Sequence, residues 1–229
     1  MNLGLNPQYE KYANQELNWL PGDTESQYNE NLKNKYNLLQ KYNWINNPFT
    51  YKFNSSGFRS DEFDESEPSI VFLGCSITVG IGIPYETTWS KIVSNKLNLK
   101  CYNLGVGGSS NDTAFRHAYT WLGKLKPSIC VFCQTFNDRM EIWKGTDVVF
   151  NVAETHPYFY LSTWQSNPLN KTLLAEKNLL AIKQICNQYN IKFVHANVQD
   201  IELDASARDL AHPGIESNLE FSKLILSKI

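Results

Sequence analysis

A serine and a histidine in this chain have neighbours that suit nucleophilic catalysis. Ser76 follows the short apolar run 70–73, and His212 stands far along the chain with Asp209 three residues before it. A serine hydroxyl becomes a nucleophile when an imidazole takes its proton, and a carboxylate beside the imidazole holds its tautomer and stabilises its charged form. These residue types predict a serine hydrolase if the fold brings positions 76 and 212 into contact.

Strands and helices alternate from residue 69 onward. Short apolar runs predict strands at 70–73, 99–104, 129–134 and 191–197. Helical patterns predict helices at 89–97, 112–124, 173–189 and 216–227. This alternation indicates a parallel sheet with helices on both faces, which is an α/β fold of the three-layer α/β/α sandwich type.

Polar segments follow the predicted strands. Three of them begin at Gly74, Asn103 and Phe136, each at the end of a strand, and a fourth begins at Asp209, before the last helix. In parallel sheets the working residues lie at the carboxyl ends of the strands. We therefore expect all four segments to share one rim of the sheet, with Ser76 and His212 among them.

These four segments resemble the four sequence blocks of the SGNH hydrolases, also called the GDSL family of esterases and lipases. Gly74-x-Ser76 resembles the first block, Asn103-x-Gly105-x-x-Gly108 the second, Asn137-Asp138 the third and Asp209-x-x-His212-Pro213 the fourth. The blocks occur in order across residues 69–229, which is far more specific than any one of them. The resemblance implies the flavodoxin-like SGNH fold. A less specific likeness, at residues 54–59, is to a segment that precedes the core in some SGNH proteins linked to polysaccharide modification.

The resemblance also implies a mechanism. Ser76 would attack an ester carbonyl, His212 would act as general base, and Asp209 would orient the imidazole. The N–H groups of Ser76 and Gly108 and the side-chain amide of Asn137 would form the oxyanion hole. An acyl-enzyme would then be hydrolysed by water, and no metal or organic cofactor is implied.

The chain departs from the family pattern at three places. Cys75 stands before the nucleophile, where Asp is usual, and Phe136 stands before Asn137, where a small residue is common. The functional glycine is ambiguous between Gly107 and Gly108, and counting from Asn103 favours Gly108.

Two alternative uses of these residues carry less weight. An α/β-hydrolase elbow needs glycine two residues after the serine, and Thr78 stands there. Cys75 is a second candidate nucleophile, but its neighbour Ser76 holds the matching place.

The C-x-x-C at 130–133 lies in a predicted strand, where residues three apart point to opposite faces, so we expect two core thiols and no metal site.

An aromatic-rich insertion, at about 138–171, is the candidate substrate region. Trp143, Tyr158 and Trp164 could form a platform for sugar rings or acyl chains, or could simply pack the insertion onto the sheet. Polar residues interrupt any broad apolar surface, so a short acyl group on a hydrophilic carrier, such as an acetylated sugar, is the preferred substrate. The alternatives are a lipase, thioesterase or acyltransferase with the same site, or a non-catalytic binding protein that retains the fold.

Composition and charge bound these interpretations. The chain has 229 residues, 42% of them hydrophobic, and a formal net charge of −2 with no dense basic stripe, which argues against a nucleic-acid partner. No apolar run is long enough to span a bilayer and no secretory signal is evident, so we expect a cytoplasmic protein, or a virion-associated one if the source is a phage. Residues 1–68 are predicted to be an extension that packs on the 69–229 domain, with one helix at 32–42.

Overall fold

A computed structural model of the chain describes residues 9–144, 147–152, 163–164 and 166–229. The N-terminal part contains a 3₁₀ turn (Glu10–Tyr12), strand β1 (Glu16–Leu17), helix α1 (Glu25–Asn34), helix α2 (Tyr36–Lys41) and strand β2 (Tyr51–Lys52), which pairs antiparallel with β1. Thr24 caps α1, because its hydroxyl accepts a hydrogen bond from the Gln27 N–H at 3.2 Å.

The prediction of one helix over residues 32–42 is wrong. Lys35 leaves helical geometry, with φ −137° and ψ 29°, and separates α1 from α2. Leu39 of α2 lies in a buried cluster with Trp44 and Ile83.

A parallel sheet of four strands forms the centre of the fold, as predicted. The strands of the chain after β2 are β3 (Ser69–Leu73), β4 (Lys100–Asn103), β5 (Ile129–Gln134), the hairpin strands β6 (Met140–Lys144) and β7 (Asp147–Val152), and β8 (Lys192–Asn197). The sheet order is β4-β3-β5-β8, and every residue of β3 and β5 is buried. Burial of both faces explains why these strands are continuous apolar runs.

Helices cover both faces of this sheet. They are α3 (Ser76–Val79), α4 (Trp89–Leu97), α5 (Asn111–Leu125), α6 (Pro168–Gln188) and α7 (Ile215–Lys228), with 3₁₀ turns at Tyr85–Thr87 and Val198–Asp200. On one face Trp89 of α4 packs edge-on between Phe72 and Phe221 of α7. On the other face α5 and α6 pack on β3 and β5 through Leu122 and Ile182. The three-layer α/β/α sandwich is therefore the observed architecture.

The two thiols of the C-x-x-C lie on opposite faces of β5. Cys133 belongs to the core under α4 and α7, together with Cys75, while Cys130 packs beside Cys186 on the other face. All five cysteines are buried and free.

The order of the strands locates a crevice in the sheet. The chain passes from β3 outward to β4 and then returns across β3 to β5, so the direction of winding reverses between β3 and β5. In open α/β sheets ligands bind outside the carboxyl ends of the strands at such a reversal. Within the described ranges no helix is long and apolar enough to cross a membrane.

Candidate active site

Ser76 is the first residue of α3, the single helical turn that follows β3. The Cys75 carbonyl accepts hydrogen bonds from the N–H groups of Thr78 and Val79, so the chain turns sharply from strand to helix. The side-chain amide of Asn103, at the end of β4, donates to the Thr78 carbonyl at 2.6 Å. The nucleophile candidate thus lies at the reversal point of the sheet, on a turn that β4 also supports.

The structure brings Ser76 and His212 together across 136 positions of sequence. Ser76 Oγ lies 3.0 Å from His212 Nε2, and the other ring nitrogen, Nδ1, is hydrogen-bonded to Asp209 Oδ2. The second carboxylate oxygen of Asp209 accepts the backbone N–H groups of Ala211 and His212 at 3.1 and 3.0 Å. The Asp209 side chain is fully buried and the His212 side chain is 21% exposed, which leaves the imidazole open to a ligand.

The backbone around Gly108 is arranged differently from that of its neighbour. The Gly107 N–H donates to the Tyr9 hydroxyl at 2.9 Å. The Gly108 N–H has no partner among the residues that the structure describes, and Gly108 is exposed with φ +69°, which glycine adopts without strain. Of the two glycines, Gly108 is therefore the one with a donor to offer.

Two neighbouring side-chain amides donate hydrogen bonds to the side-chain oxygen of Asn137. Asn111 Nδ2 and Gln134 Nε2 lie 3.2 and 3.3 Å from Asn137 Oδ1. The Asn111 amide is itself oriented, because its Oδ1 accepts the Thr135 N–H at 2.9 Å. Asn137 Nδ2 is left without a partner in the described part of the chain, at an exposed position on the rim.

Cys75 and Phe136, the two residues that depart from the family pattern beside the site, both pack against the core. Cys75 is 1% exposed and packs in the core with Cys133, so its thiol is not offered to a ligand. Phe136 packs against the same core, with the Arg139 guanidinium 5.1 Å from its ring centroid.

Trp143 of the insertion lies in β6. It lines a cavity of about 360 Å³ beside α5, and its Nε1 donates to Glu141 at 2.8 Å. Arg116 forms a buried ion pair with Glu141 at 2.7 Å, and its guanidinium lies 5.1 Å from the Trp143 ring centroid. Burial acts to raise the pKa of Glu141, but hydrogen bonds from Arg116, Thr113 and Trp143 outweigh it and hold the pKa below its ordinary value.

The other two aromatic candidates are not brought to this cavity by any described contact. Trp164 is 40% exposed, and its carbonyl accepts the Asn170 side-chain amide at 2.8 Å. Tyr158 lies outside the described residues.

Arg59 is a residue of the site region whose role cannot be inferred from its neighbours in sequence. Its guanidinium is buried and donates to the carbonyls of Val79, Gly80 and Ile83, at 3.2, 2.6 and 2.8 Å. Burial lowers the pKa of Arg59 to about 10. The likeness of residues 54–59 to a segment of some SGNH proteins is the one signal that could have singled it out.

No group of three or more His, Cys, Asp or Glu side chains in the described ranges is placed to hold a metal ion. His117 is fully buried, and burial lowers its pKa to about 3, so it stays neutral. His195 lies in β8 with Nε2 2.8 Å from Gln134 Oε1.

Comparison with known proteins gives likenesses of structure only. No family model matches the sequence, and no curated protein matches it. The esterase EstA from Pseudoalteromonas sp., inhibited by monoethylphosphonate, is 15% identical, with 71% of this chain and 96% of that chain covered and a TM-score of 0.43. AlinE4, an SGNH-hydrolase family esterase, is 15% identical over 69% of this chain and 73% of that chain, with a TM-score of 0.37.

A family two carbohydrate esterase from Clostridium thermocellum, in complex with cellohexaose, is also similar. It is 15% identical, with 70% of this chain and 63% of that chain covered and a TM-score of 0.39. Solved structures that resemble this chain thus include SGNH and GDSL hydrolases at low identity, and its chemistry has to be argued from its own residues.

Proposed function

We propose that this chain is a serine esterase of the SGNH type, with Ser76 as nucleophile, His212 as general base and Asp209 as the orienting carboxylate. The observation that carries the proposal is the 3.0 Å distance between Ser76 Oγ and His212 Nε2, with Nδ1 bonded to Asp209. Because an ionised carboxylate only accepts hydrogen bonds, Nδ1 carries the proton and Nε2 offers its lone pair to the serine hydroxyl. The imidazole is in the tautomer that general-base catalysis needs.

The reaction has two halves. As Ser76 Oγ attacks the ester carbon, its proton passes to His212 Nε2 and an electron pair moves onto the carbonyl oxygen. The intermediate collapses, the bond to the alcohol breaks, and His212 gives its proton to the leaving oxygen. Water then attacks the acyl-serine, passes a proton to His212, and the acid leaves as Ser76 regains its hydrogen. Asp209 stays ionised throughout and stabilises the imidazolium.

The oxyanion is proposed to bind the N–H groups of Ser76 and Gly108 and the side-chain amide of Asn137. Two of these donors, the Gly108 N–H and Asn137 Nδ2, have no partner among the described residues, so they are available to a ligand. Loss of one such donor typically costs about 3–4 kcal/mol of transition-state stabilisation.

The proposed substrate is a short O-acyl ester, in the first instance acetyl, on a carbohydrate. The cavity lined by Phe115, Tyr119 and Trp143 supports this proposal, because aromatic faces stack on sugar rings. Asp112 also lines this cavity and directly follows Asn111, which binds the Asn137 amide. One lining residue of the cavity is thus the sequence neighbour of a residue that binds a proposed oxyanion donor.

Longer acyl chains are the second candidate, and one observation favours them. Leu169, Leu173 and Leu180 lie on one face of α6 and are 72%, 68% and 63% exposed. An apolar stripe of this kind could contact a lipid or an acyl chain.

The test uses purified protein with p-nitrophenyl acetate, butyrate and decanoate and with an acetylated oligosaccharide. We expect acetate to be hydrolysed fastest, and both Ser76→Ala and His212→Ala to lower kcat at least about 10³-fold, because the triad acts as a unit. A fluorophosphonate should label wild-type protein and not Ser76→Ala.

Two other outcomes of this test would change the proposed function. Preference for decanoate would replace the carbohydrate ester by a lipid-like one. Absence of turnover and of labelling in the folded wild-type protein would replace the esterase by a binding protein.

A further inference from the structure

The segments that carry Ser76 and His212 touch each other at Gly82 and Arg208. The Arg208 N–H donates to the Gly82 carbonyl at 2.8 Å. A Cβ at Gly82 would lie 2.8 Å from the Ala207 Cβ, so only glycine allows the two backbones to approach this closely. The position of His212 relative to Ser76 thus depends on what holds these two segments together.

A buried polar network from the N-terminal part of the chain joins them. The Gly82 N–H donates to the Tyr51 hydroxyl at 2.8 Å, and Tyr51 donates to Asp23 Oδ2 at 2.5 Å. Asp23 pairs with the Arg208 guanidinium at 2.6 Å, and Trp19 and Phe49 lie on that guanidinium, 4.2 and 3.9 Å from ring centroid to Cζ. Burial and the Asp23 charge raise the pKa of Tyr51 well above its usual value, so this hydroxyl remains a donor.

Helix α1 holds the Asp209 backbone directly. Gln27 Nε2 and Asn31 Nδ2, one turn apart on the same helix face, donate to the Asp209 carbonyl at 3.0 and 3.2 Å. Trp44 Nε1 donates to the Ser206 carbonyl at 2.8 Å, and a side chain at Gly22 would lie 3.6 Å from His212 Cε1.

These contacts converge on one short segment, residues 206–212. That segment includes Leu210 in the left-handed region, with φ +53°, a conformation that neighbouring contacts must enforce in a leucine. Coverage of apolar surface alone would not require an ion pair and three side-chain donors, from Gln27, Asn31 and Trp44, to be directed to the loop that carries Asp209 and His212.

We propose that residues 9–68 are a positioning part of the active site, which hold the Asp209–His212 loop against the Ser76 turn. The inference rests on the proposed esterase function. Gln27, Asn31, Asp23 and Tyr51 are positioning residues, because none of them touches the reacting atoms. Misplacement of a catalytic group by about 1 Å can cost about 100-fold in rate, so small displacements of this loop have large consequences.

The decisive variant is the double substitution Gln27→Met/Asn31→Leu, which removes both donors to the Asp209 carbonyl and keeps the side-chain volumes. Asn29→Leu is the matched control, because Asn29 is exposed on the same helix. Three quantities are measured: kcat and KM for p-nitrophenyl acetate per fluorophosphonate-titrated site, the thermal midpoint, and the low-field proton resonance of His212 Nδ1–H, assigned by its absence in His212→Ala.

We expect kcat of the double variant to fall at least about 10-fold with KM within twofold, and the His212 resonance to shift or broaden. Asn29→Leu should match the wild type in all three quantities. Normalisation to titrated sites removes any loss that comes only from unfolded protein. If the double variant does not fold, Gln27→Met alone, at a half-buried position, should lower kcat about threefold with the same resonance change.

Two failures are distinguishable. A folded double variant, or Gln27→Met in its place, with wild-type kcat and an unchanged His212 resonance would overturn the positioning role while the esterase proposal stands. A wild-type protein with neither turnover nor labelling would remove the esterase proposal, and the resonance would then report whether α1 positions His212.

Discussion

A backbone N–H group decides which end of the Asn137 amide is free. Because Thr135 donates to Asn111 Oδ1, Asn111 presents its NH₂ group to Asn137 Oδ1. Gln134 donates to the same oxygen, so its own Oε1 must accept, and His195 Nε2 must carry a proton toward it. The hydrogen-bond directions of four side chains thus follow from one peptide group, and they leave Asn137 Nδ2 for a ligand.

Because these hydrogen-bond directions depend on Asn111, the substitution Asn111→Asp tests the proposed oxyanion hole. The carboxylate can still accept the Thr135 N–H, but it cannot donate to Asn137 Oδ1 and would repel it. We expect the Asn137 amide to rotate and kcat to fall about 100-fold or more, close to the effect of Asn137→Ala, with KM little changed. Steady-state kinetics of both variants check this, and an active Asn111→Asp with kcat within threefold of wild type would contradict it.

Prediction at the residue scale depends on how distinctive a residue type is. Ser76, Asp209 and His212 could be predicted as the proposed triad because few side-chain types can serve as a nucleophile, a base and an orienting acid. Asn111 and Gln134 could not, since amides are common in this chain and only the fold shows which of them bind Asn137. Trp143 was singled out for its type alone, and the structure places it in the cavity beside α5.

At the scale of elements, the turn that carries Ser76 is too short to be stable alone. α3 has four residues, and isolated helices of this length do not form in water. Arg59 supports its C-terminal end, where carbonyl groups concentrate negative charge, and stacks on Tyr51 with 4.5 Å from Cζ to the ring centroid.

Arg59→Lys should therefore be far from conservative. An ammonium group is a compact point charge and cannot reproduce the planar fork that reaches Val79, Gly80 and Ile83 together. We expect the free energy of unfolding to fall by about 2–3 kcal/mol, since buried carbonyls lose charged donors. Urea denaturation measures this, with Arg139→Lys, a partly exposed arginine, as the control expected to change stability by under about 0.5 kcal/mol. Equal stability of the two variants would refute the role given to Arg59.

Predicted and observed bounds coincide for one strand and one helix. Ile129–Gln134 and Trp89–Leu97 have the predicted bounds, because continuous apolar runs and capping residues mark them. Helix α6 begins at Pro168 and not at 173, since its first turns are exposed and carry no periodic signal, although Asn167 and Pro168 are a regular helix start. The β6–β7 hairpin was not predicted.

At the scale of the whole molecule, the N-terminal part of the chain reaches both the site and the core. Phe58 packs edge-on against His117 at 5.3 Å between ring centroids, on the face of the sheet under α5. Hydrogen bonds of the N-terminal part also join residues that are distant in sequence. The Arg208 guanidinium donates to the carbonyl of Asn18, which lies 190 positions earlier in the chain. Local patterns in sequence carry no information about such pairs, which is why the residues that the N-terminal part contacts could not be predicted.

The burial of His117 should make the stability of the whole fold depend on pH. Burial, and secondarily the Arg116 charge, lowers the pKa of His117 from its ordinary 6.5 to about 3. Between these pH values His117 is protonated in the unfolded chain and neutral in the folded protein. The free energy of unfolding therefore falls as pH decreases from about 6.5 toward 3. At pH 5 the loss from this residue alone is about 2 kcal/mol.

His117→Asn isolates this contribution, because the asparagine amide can take over the hydrogen bond from Nδ1 to the Leu104 carbonyl and does not titrate. The variant will be less stable at pH 8, since it is smaller, so the comparison concerns the slope of the unfolding free energy against pH. Between pH 6 and 5 we expect that slope to be lower than in the wild type by about 1.2 kcal/mol per pH unit. His195→Gln is the control, and its change should be smaller because His195 is half-buried. Parallel pH profiles for His117→Asn and wild type would show that the buried imidazole is charged in the folded protein.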